Sequence, residues 1–236
     1  MEVAYQHSLN GSNLVFAHSQ FSKGLGHRLS EYVGLKIDDL PSVWAIRPVG
    51  DHFALHKHKM KGKITTDNLK LFISHFKNDK LERHYRSDHV AKDDSLKDQK
   101  FVKDTVGRTF EDDVSTSFKH SIVLFYYQWC LDTGKMRPVL DIVAEGHSNN
   151  RKLDFHMFDL TMNEHVDVEQ YTNPKDYPIL FHYDPKDKSK PVKYEGEFEE
   201  APLRKWIRER LGFDYIIPIE LTKRRKREIY ISYGFK

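Results

Sequence analysis

The stretch "SIVLFYYQW", residues 121–129, constrains the fold more than any other part of the chain. Its apolar residues run on without alternation. A strand of that kind is buried on both faces, which requires a sheet with a layer packed on each side. A helix is expected directly after it, from Cys130 to about Ala144, with Pro138 inside. Around this pair, "KFVKDTVGRTFEDDV" reads as a strand and a helix start, "LDFHMFDL" and "YPILFHYD" as strands, and "VKYEGEF" as a last strand. "EEAPLRKWIRERLG" is the closing helix, with Pro202 near its first turn and Gly212 ending it.

The first part of the chain reads as a smaller α/β unit. "NLVFAHSQF", residues 13–21, is a strand candidate. "GLGHRLSEYVGL" places Leu25, Leu29, Tyr32 and Val33 at helical spacing, with Gly34 as a natural stop. "SVWAIRP" and "DHFALHKHKM" follow as strands, the latter alternating Phe53 and Leu55. "TTDNLKLFISHFKNDKL" is a helix capped by Thr65 or Thr66, with Leu69, Phe72, Ile73 and Phe76 on one face. The polar, aperiodic residues 82–99 are expected to be a linker. The domains expected are therefore 1–81, the linker 82–99, 100–212, and a basic and aromatic tail 213–236.

Composition removes several function classes. With 39% hydrophobic and 31% charged residues, the chain has material for a core. A net charge of +3 does not by itself imply nucleic acid. No run approaches the ~20 apolar residues that span a membrane, and the N-terminal stretch has no basic start followed by an apolar run. No glycine-rich phosphate loop is present, and no cofactor is expected. Cys130 is the one cysteine, so no intramolecular disulfide forms and a multi-cysteine zinc site is excluded. His56 and His58 in "HKHK" share a strand face, but without a third ligand that face is expected to be solvated rather than metal-binding.

The order of these segments resembles a thioredoxin fold, and their details resemble the protein disulfide isomerase family. "VGLKIDDLPSVWAI" is similar to that family's redox-inactive, client-binding domain. "VGRTFEDDV" is similar to the opening of its C-terminal catalytic domain, and "FYYQWCLDTGKMRP" stands where the family has its two-cysteine motif. "DYPILFHYDPKDKSKPVKYEGEFEEAPLRKWI" is similar to its cis-proline strand, hairpin and last helix. The resemblance covers roughly residues 13–211 and implies tandem thioredoxin-like α/β domains with central mixed sheets, the first incomplete. Either that first domain is reduced or the chain given lacks its native N-terminus.

The departures from the family pattern carry the functional reading. Aligned on Trp129 and Cys130, the second cysteine becomes Thr133 and the residue before it Asp132. The family's buried glutamate falls at Leu124 and its lysine partner at Met157. Disulfide exchange passes through a mixed disulfide that a second thiol resolves. Cys130 alone can attack but not release. A helix N-terminus favours its thiolate, and Asp132 opposes it. Cys130 is then either an inherited buried thiol or a client trap. Pro178 aligns with the cis-proline, and Trp129, Tyr177 and Pro178 are expected to line a peptide-docking surface.

The resemblance thus implies a non-catalytic protein binder, chaperone-like or a structural subunit of a larger assembly. The alternative is a single-cysteine trap in the secretory pathway. The family points to the endoplasmic reticulum lumen, while "GFK" at the end is not its usual retention signal. The run "KRRKR", residues 223–227, is expected to be solvated or to meet an anionic surface, and "EIYISYGF" after it reads as strand-like. The tail either docks a protein partner or folds back on its own domain.

Overall fold

The computed structural model describes residues 3–4, 13–21, 23–49, 54–89, 101–171 and 173–235. The chain divides into two compact units, Met1–Arg86 and Ser87–Lys236.

In the first unit, helix α1 (Leu25–Val33) ends at Gly34, whose φ of 70° is the left-handed conformation that a side chain disfavours. Strands β1 (Trp44–Val49) and β2 (Ala54–Lys59) pair antiparallel, with Trp44 opposite Lys59. Helix α2 (Thr66–Lys77) begins at Thr65, whose side chain accepts a hydrogen bond from the Asn68 amide at 3.2 Å. Its buried face is Phe72, Ile73 and Phe76. Leu40–Pro41 is a cis peptide.

Several expectations for this unit are corrected. Residues 14–20 form no strand, having no neighbouring strand to supply a ladder. The sheet is therefore a two-stranded antiparallel pair among the described residues, not a mixed one. On α1 only Val33 of the four spaced apolar residues is buried, while Leu25 and Leu29 are exposed. The face carrying His56 and His58 is not fully solvated, since His56 is half-buried and His58 buried, and Lys57 on the opposite face is buried as well. Lys57 is buried, donates to the Tyr32 carbonyl at 3.1 Å and lies 4.5 Å over the Tyr32 ring. His58 is buried too, its Nδ1–H donating to the Glu82 carbonyl at 2.9 Å. Of the expected linker, residues 82–86 lie in this first unit, and the His84 amide donates to the Lys57 carbonyl at 2.6 Å. Residues 90–99 of that linker, and Phe53, lie outside the described residues.

The second unit is built on a five-stranded mixed sheet in the order β3-β5-β4-β6-β7. These are β3 (Val102–Asp104), β4 (His120–Tyr126), β5 (Leu153–Asp159), β6 (Ile179–Asp184) and β7 (Asp187–Lys193). Strands β3 and β4 run parallel to β5, and β6 runs antiparallel to β4 and β7. Strand β4 is central, and every one of its residues is buried. Alternate side chains enter two separate cores. Ile122, Leu124 and Tyr126 join the core with helices α3 (Leu131–Gly146) and α4 (Glu200–Leu211), among them Leu140, Leu203 and Ile207. Val123 and Phe125 join Phe110, Phe158, Ile179 and Tyr183 on the opposite face. Burying each such side chain contributes roughly 1.5–3 kcal/mol, which is why a continuously apolar strand takes the centre.

Three segments differ from their sequence reading. The helix start after β3 is a single π-type turn, Glu111–Ser115. The last strand is Asp187–Lys193, so "VKYEGEF" contributes only its first two residues. A turn at residues 185–186 fixes the hairpin register, and beyond Lys193 the Tyr194 hydroxyl donates to the Glu197 carbonyl at 2.6 Å as the chain leaves the sheet. The strand-like tail is a helix, α5 (Lys223–Ser232), capped by Thr222, which accepts from the Arg225 amide at 3.2 Å. An Arg224–Glu228 pair four residues apart at 3.0 Å supports it.

That helix folds back on α3. Ile229 is buried, Arg225 forms a forked ion pair with Glu145 at 2.8 Å, and the Tyr233 hydroxyl donates to Asp141. Lys226 bridges Glu200 and Glu220, each at 2.9 Å. Arg225 and Lys226 of the basic run are therefore held in ion pairs within the domain rather than freely solvated. Among the described residues no helix is long and apolar enough to cross a membrane.

Candidate functional site

The C-terminal end of β4 delivers the chain into the first turn of α3, and the residues there sit between the sheet and the loop before β6. Cys130 is the N-cap of α3 and is partly exposed. Its thiol donates to the Tyr177 carbonyl at 3.3 Å, and Tyr177–Pro178 is a cis peptide. The sequence-derived pairing of Cys130 with Pro178 is thus a spatial neighbourhood. Thr133, three residues on, is buried; its hydroxyl donates to the Tyr127 carbonyl at 3.4 Å and its amide to the Cys130 carbonyl at 3.1 Å. Asp132 points to solvent and pairs with Lys135 at 3.0 Å.

Strands β4 and β5 put an apolar pair at the two positions that align with the family's buried glutamate and its lysine partner. Leu124 and Met157 stand opposite each other in the β4–β5 register, and both belong to the helix-side core. Leu124 has no exposed surface. Neither side chain can carry a proton, so these two positions offer no route for acid–base transfer to Cys130.

The docking surface expected from Trp129, Tyr177 and Pro178 is only partly exposed. Trp129 is 57% exposed and stacks on Tyr127, with centroids 4.9 Å apart and planes 21° apart. Tyr177 is turned inward instead. Its hydroxyl donates to the Tyr171 carbonyl at 2.9 Å and lies within reach of the Val168 carbonyl at 3.2 Å. Burial pushes its pKa upward, with the neighbouring Tyr127 adding to the effect. Pro178 is buried too, so what this segment presents toward the thiol is the Tyr177 backbone carbonyl.

Two neighbours were not singled out from the sequence. Tyr127 links the set, meeting the Tyr177 ring edge-on at 4.9 Å. Its signal was its place in an aromatic run just past the strand end. Arg137 lies one turn beyond Thr133, 5.0 Å over the Tyr126 ring and 5.9 Å from that of Tyr233 in the tail. Burial raises the Tyr126 pKa to about 12. A lone arginine beside the apolar stripe of Met136, Val139 and Leu140 was the available hint. His56 and His58 lie in the other unit, and no group of His, Cys, Asp or Glu able to hold a metal occurs among the described residues.

A mixed sheet flanked on one face by α3 and α4, with a cysteine capping the helix after the central strand and a cis-proline beside it, defines a thioredoxin-like protein. Residues 101–209 match the protein-family model described as Thioredoxin. Its curated relatives include protein disulfide isomerases, the family that its segment order resembles. It is 28% identical over 207 residues to "Probable protein disulfide-isomerase ER-60" of Schistosoma mansoni, covering 86% of this chain and 40% of that protein. It is 30% identical over 145 residues to "Protein disulfide-isomerase A4" of Homo sapiens, covering 61% of this chain and 22% of that one. Among solved structures it is similar to the Trx4 domain of ERdj5, at 18% identity and a TM-score of 0.37, covering 48% of this chain and 98% of that one. The chain thus spans well under half the length of these two curated relatives.

Proposed function

We propose that this chain is a protein-binding member of its family that does not turn over disulfides, acting as a chaperone-like binder or as a fixed subunit of a larger assembly. The observation that carries the reading is Thr133: the position from which a second thiol would resolve a mixed disulfide holds a buried hydroxyl donated to the Tyr127 carbonyl. The apolar Leu124–Met157 pair supports the same reading. The likeness to protein disulfide isomerases supports the endoplasmic reticulum lumen as the compartment of this activity. The test is refolding of a scrambled-disulfide substrate beside a two-cysteine isomerase. No catalysed refolding is expected beyond slow exchange with glutathione. Turnover comparable to the two-cysteine enzyme would refute the proposal. Thr133→Cys is expected to form an intrachain disulfide with Cys130 under a glutathione buffer, read by mass spectrometry after alkylation.

A second reading rests on the partial exposure of Cys130. A thiol that solvent can reach can hold a client through a mixed disulfide. Rapid alkylation by iodoacetamide at neutral pH favours this trap, whereas an inert thiol favours the purely structural role.

A further inference from the structure

Helix α5 divides the basic run into cations that fold the tail and cations that face away from the domain. Arg225 and Lys226 are held by Glu145, Glu200 and Glu220. Lys223 and Arg227 are exposed and form no ion pair among the described residues. The Arg224 side chain is 91% exposed and, among the described residues, pairs only with Glu228 on the same helix. Residues 223, 227 and 231 recur every four positions and so lie on one face. Ile231 continues that face at 53% exposure. Tyr230 and Phe235, also exposed, meet edge-on 5.9 Å apart at the same end of the helix. Arg225 contacts Glu145 near the end of α3, while Tyr233 contacts Asp141 nearer its start. The helix therefore runs antiparallel to α3, and its basic half lies at the end remote from Cys130.

We infer that this outward face docks an acidic segment of a partner protein, with carboxylates against Lys223, Arg224 and Arg227 and an apolar residue against Ile231. The charge of the face fixes the sign of the partner. The layout of the face favours a protein over the alternatives. Its apolar residues sit at one end, whereas a helix lying in a lipid surface carries an apolar stripe along its length. The exposed aromatics Tyr230 and Phe235 meet each other edge-on at the end of the helix rather than alternating with the cations along it, which is not the stacking platform that single-stranded nucleic acid prefers. The surface is separate from the Cys130 face and does not depend on the reading of that site.

The test uses the full chain and a fluorescein-labelled acidic peptide containing leucines, followed by anisotropy. The same peptide with serine for leucine, phosphatidylserine vesicles and single-stranded RNA are the comparisons. Saturable binding of the leucine-containing peptide is expected, tighter than that of its serine form. Binding should weaken about tenfold or more in the Lys223→Glu, Arg224→Glu, Arg227→Glu variant and weaken again with added salt. Arg227→Ala alone, at an exposed position, should weaken it in the same direction and guards against misfolding of the triple variant. Equal or tighter binding of vesicles or RNA would overturn the inference, and so would a peptide affinity unchanged in both variants or no binding at all. None of these outcomes bears on whether Cys130 turns over disulfides.

Discussion

At position 124 a leucine with no exposed surface lies opposite Met157 in the interior of the sheet. Leu124→Glu places a carboxylate where the neighbours offer neither charge nor hydrogen bond. The expected loss is roughly 3–5 kcal/mol, read from urea unfolding at pH 8. Because burial would raise the new carboxyl's pKa, the difference from wild type should shrink at pH 5. An unchanged midpoint at pH 8 would show that the position is solvated. Histidines set a second residue-scale expectation. His156 and His182 are both buried and both have pKa values lowered to about 4, chiefly by burial, with Lys103 next for His156 and His120 next for His182. His182 accepts or donates at 2.9 Å to His120, whose other nitrogen faces Asp214 at 3.4 Å. A depressed folded-state pKa means the unfolded chain binds the protons first. Stability is therefore full above about 6.5, the ordinary histidine value, and falls as pH drops from there toward about 4. The urea midpoint should be lower at pH 5 than at pH 7, and His182→Asn should flatten that dependence. A midpoint constant across the window would mean that the rings are already charged or hydrated in the native state.

The elements differ in how plainly the residues announced them. Strand β4 was legible because an unbroken apolar run has few other places to go. Helix α2 was legible from its cap and its spaced apolar face. The tail was not, because Ile229, Tyr230 and Ile231 have strand preferences that local sequence cannot weigh against a distant partner. What decides there is Ile229 and Tyr233 on the face turned to α3, together with Glu145 and Glu200, which lie far away in sequence. The neighbourhood of Cys130 and Pro178 could be read by resemblance alone. The inward turn of Tyr177 could not, since it depends on the carbonyls of Val168 and Tyr171 waiting in the preceding loop. Because α5 is packed, Tyr233→Phe should cost ~1 kcal/mol through the lost bond to Asp141. Arg227→Ala, on the outer face, should stay within ~0.5 kcal/mol. Thermal melts distinguish the two, and equal effects would mean that the helix is not seated as described. Deleting residues 213–236 should lower the melting temperature, since Tyr215 packs on the helix-side core and Ile229 is buried.

At the scale of the molecule, Ser87–Lys236 carries two apolar cores on the faces of one sheet, and the strands and helices that build them all belong to that unit. Expressed alone, it should melt in one cooperative step by circular dichroism; a broad, non-cooperative loss of signal would show that it needs the preceding unit. The sheet ends at β3 on one side and β7 on the other. Strand β7 carries Lys188, Lys190 and Lys193, and Pro191, which has no amide hydrogen to give. A bare strand edge invites other chains to add themselves, and lysine and proline on it discourage that growth. The composition of β7 therefore makes this edge of the sheet a poor template for a foreign strand.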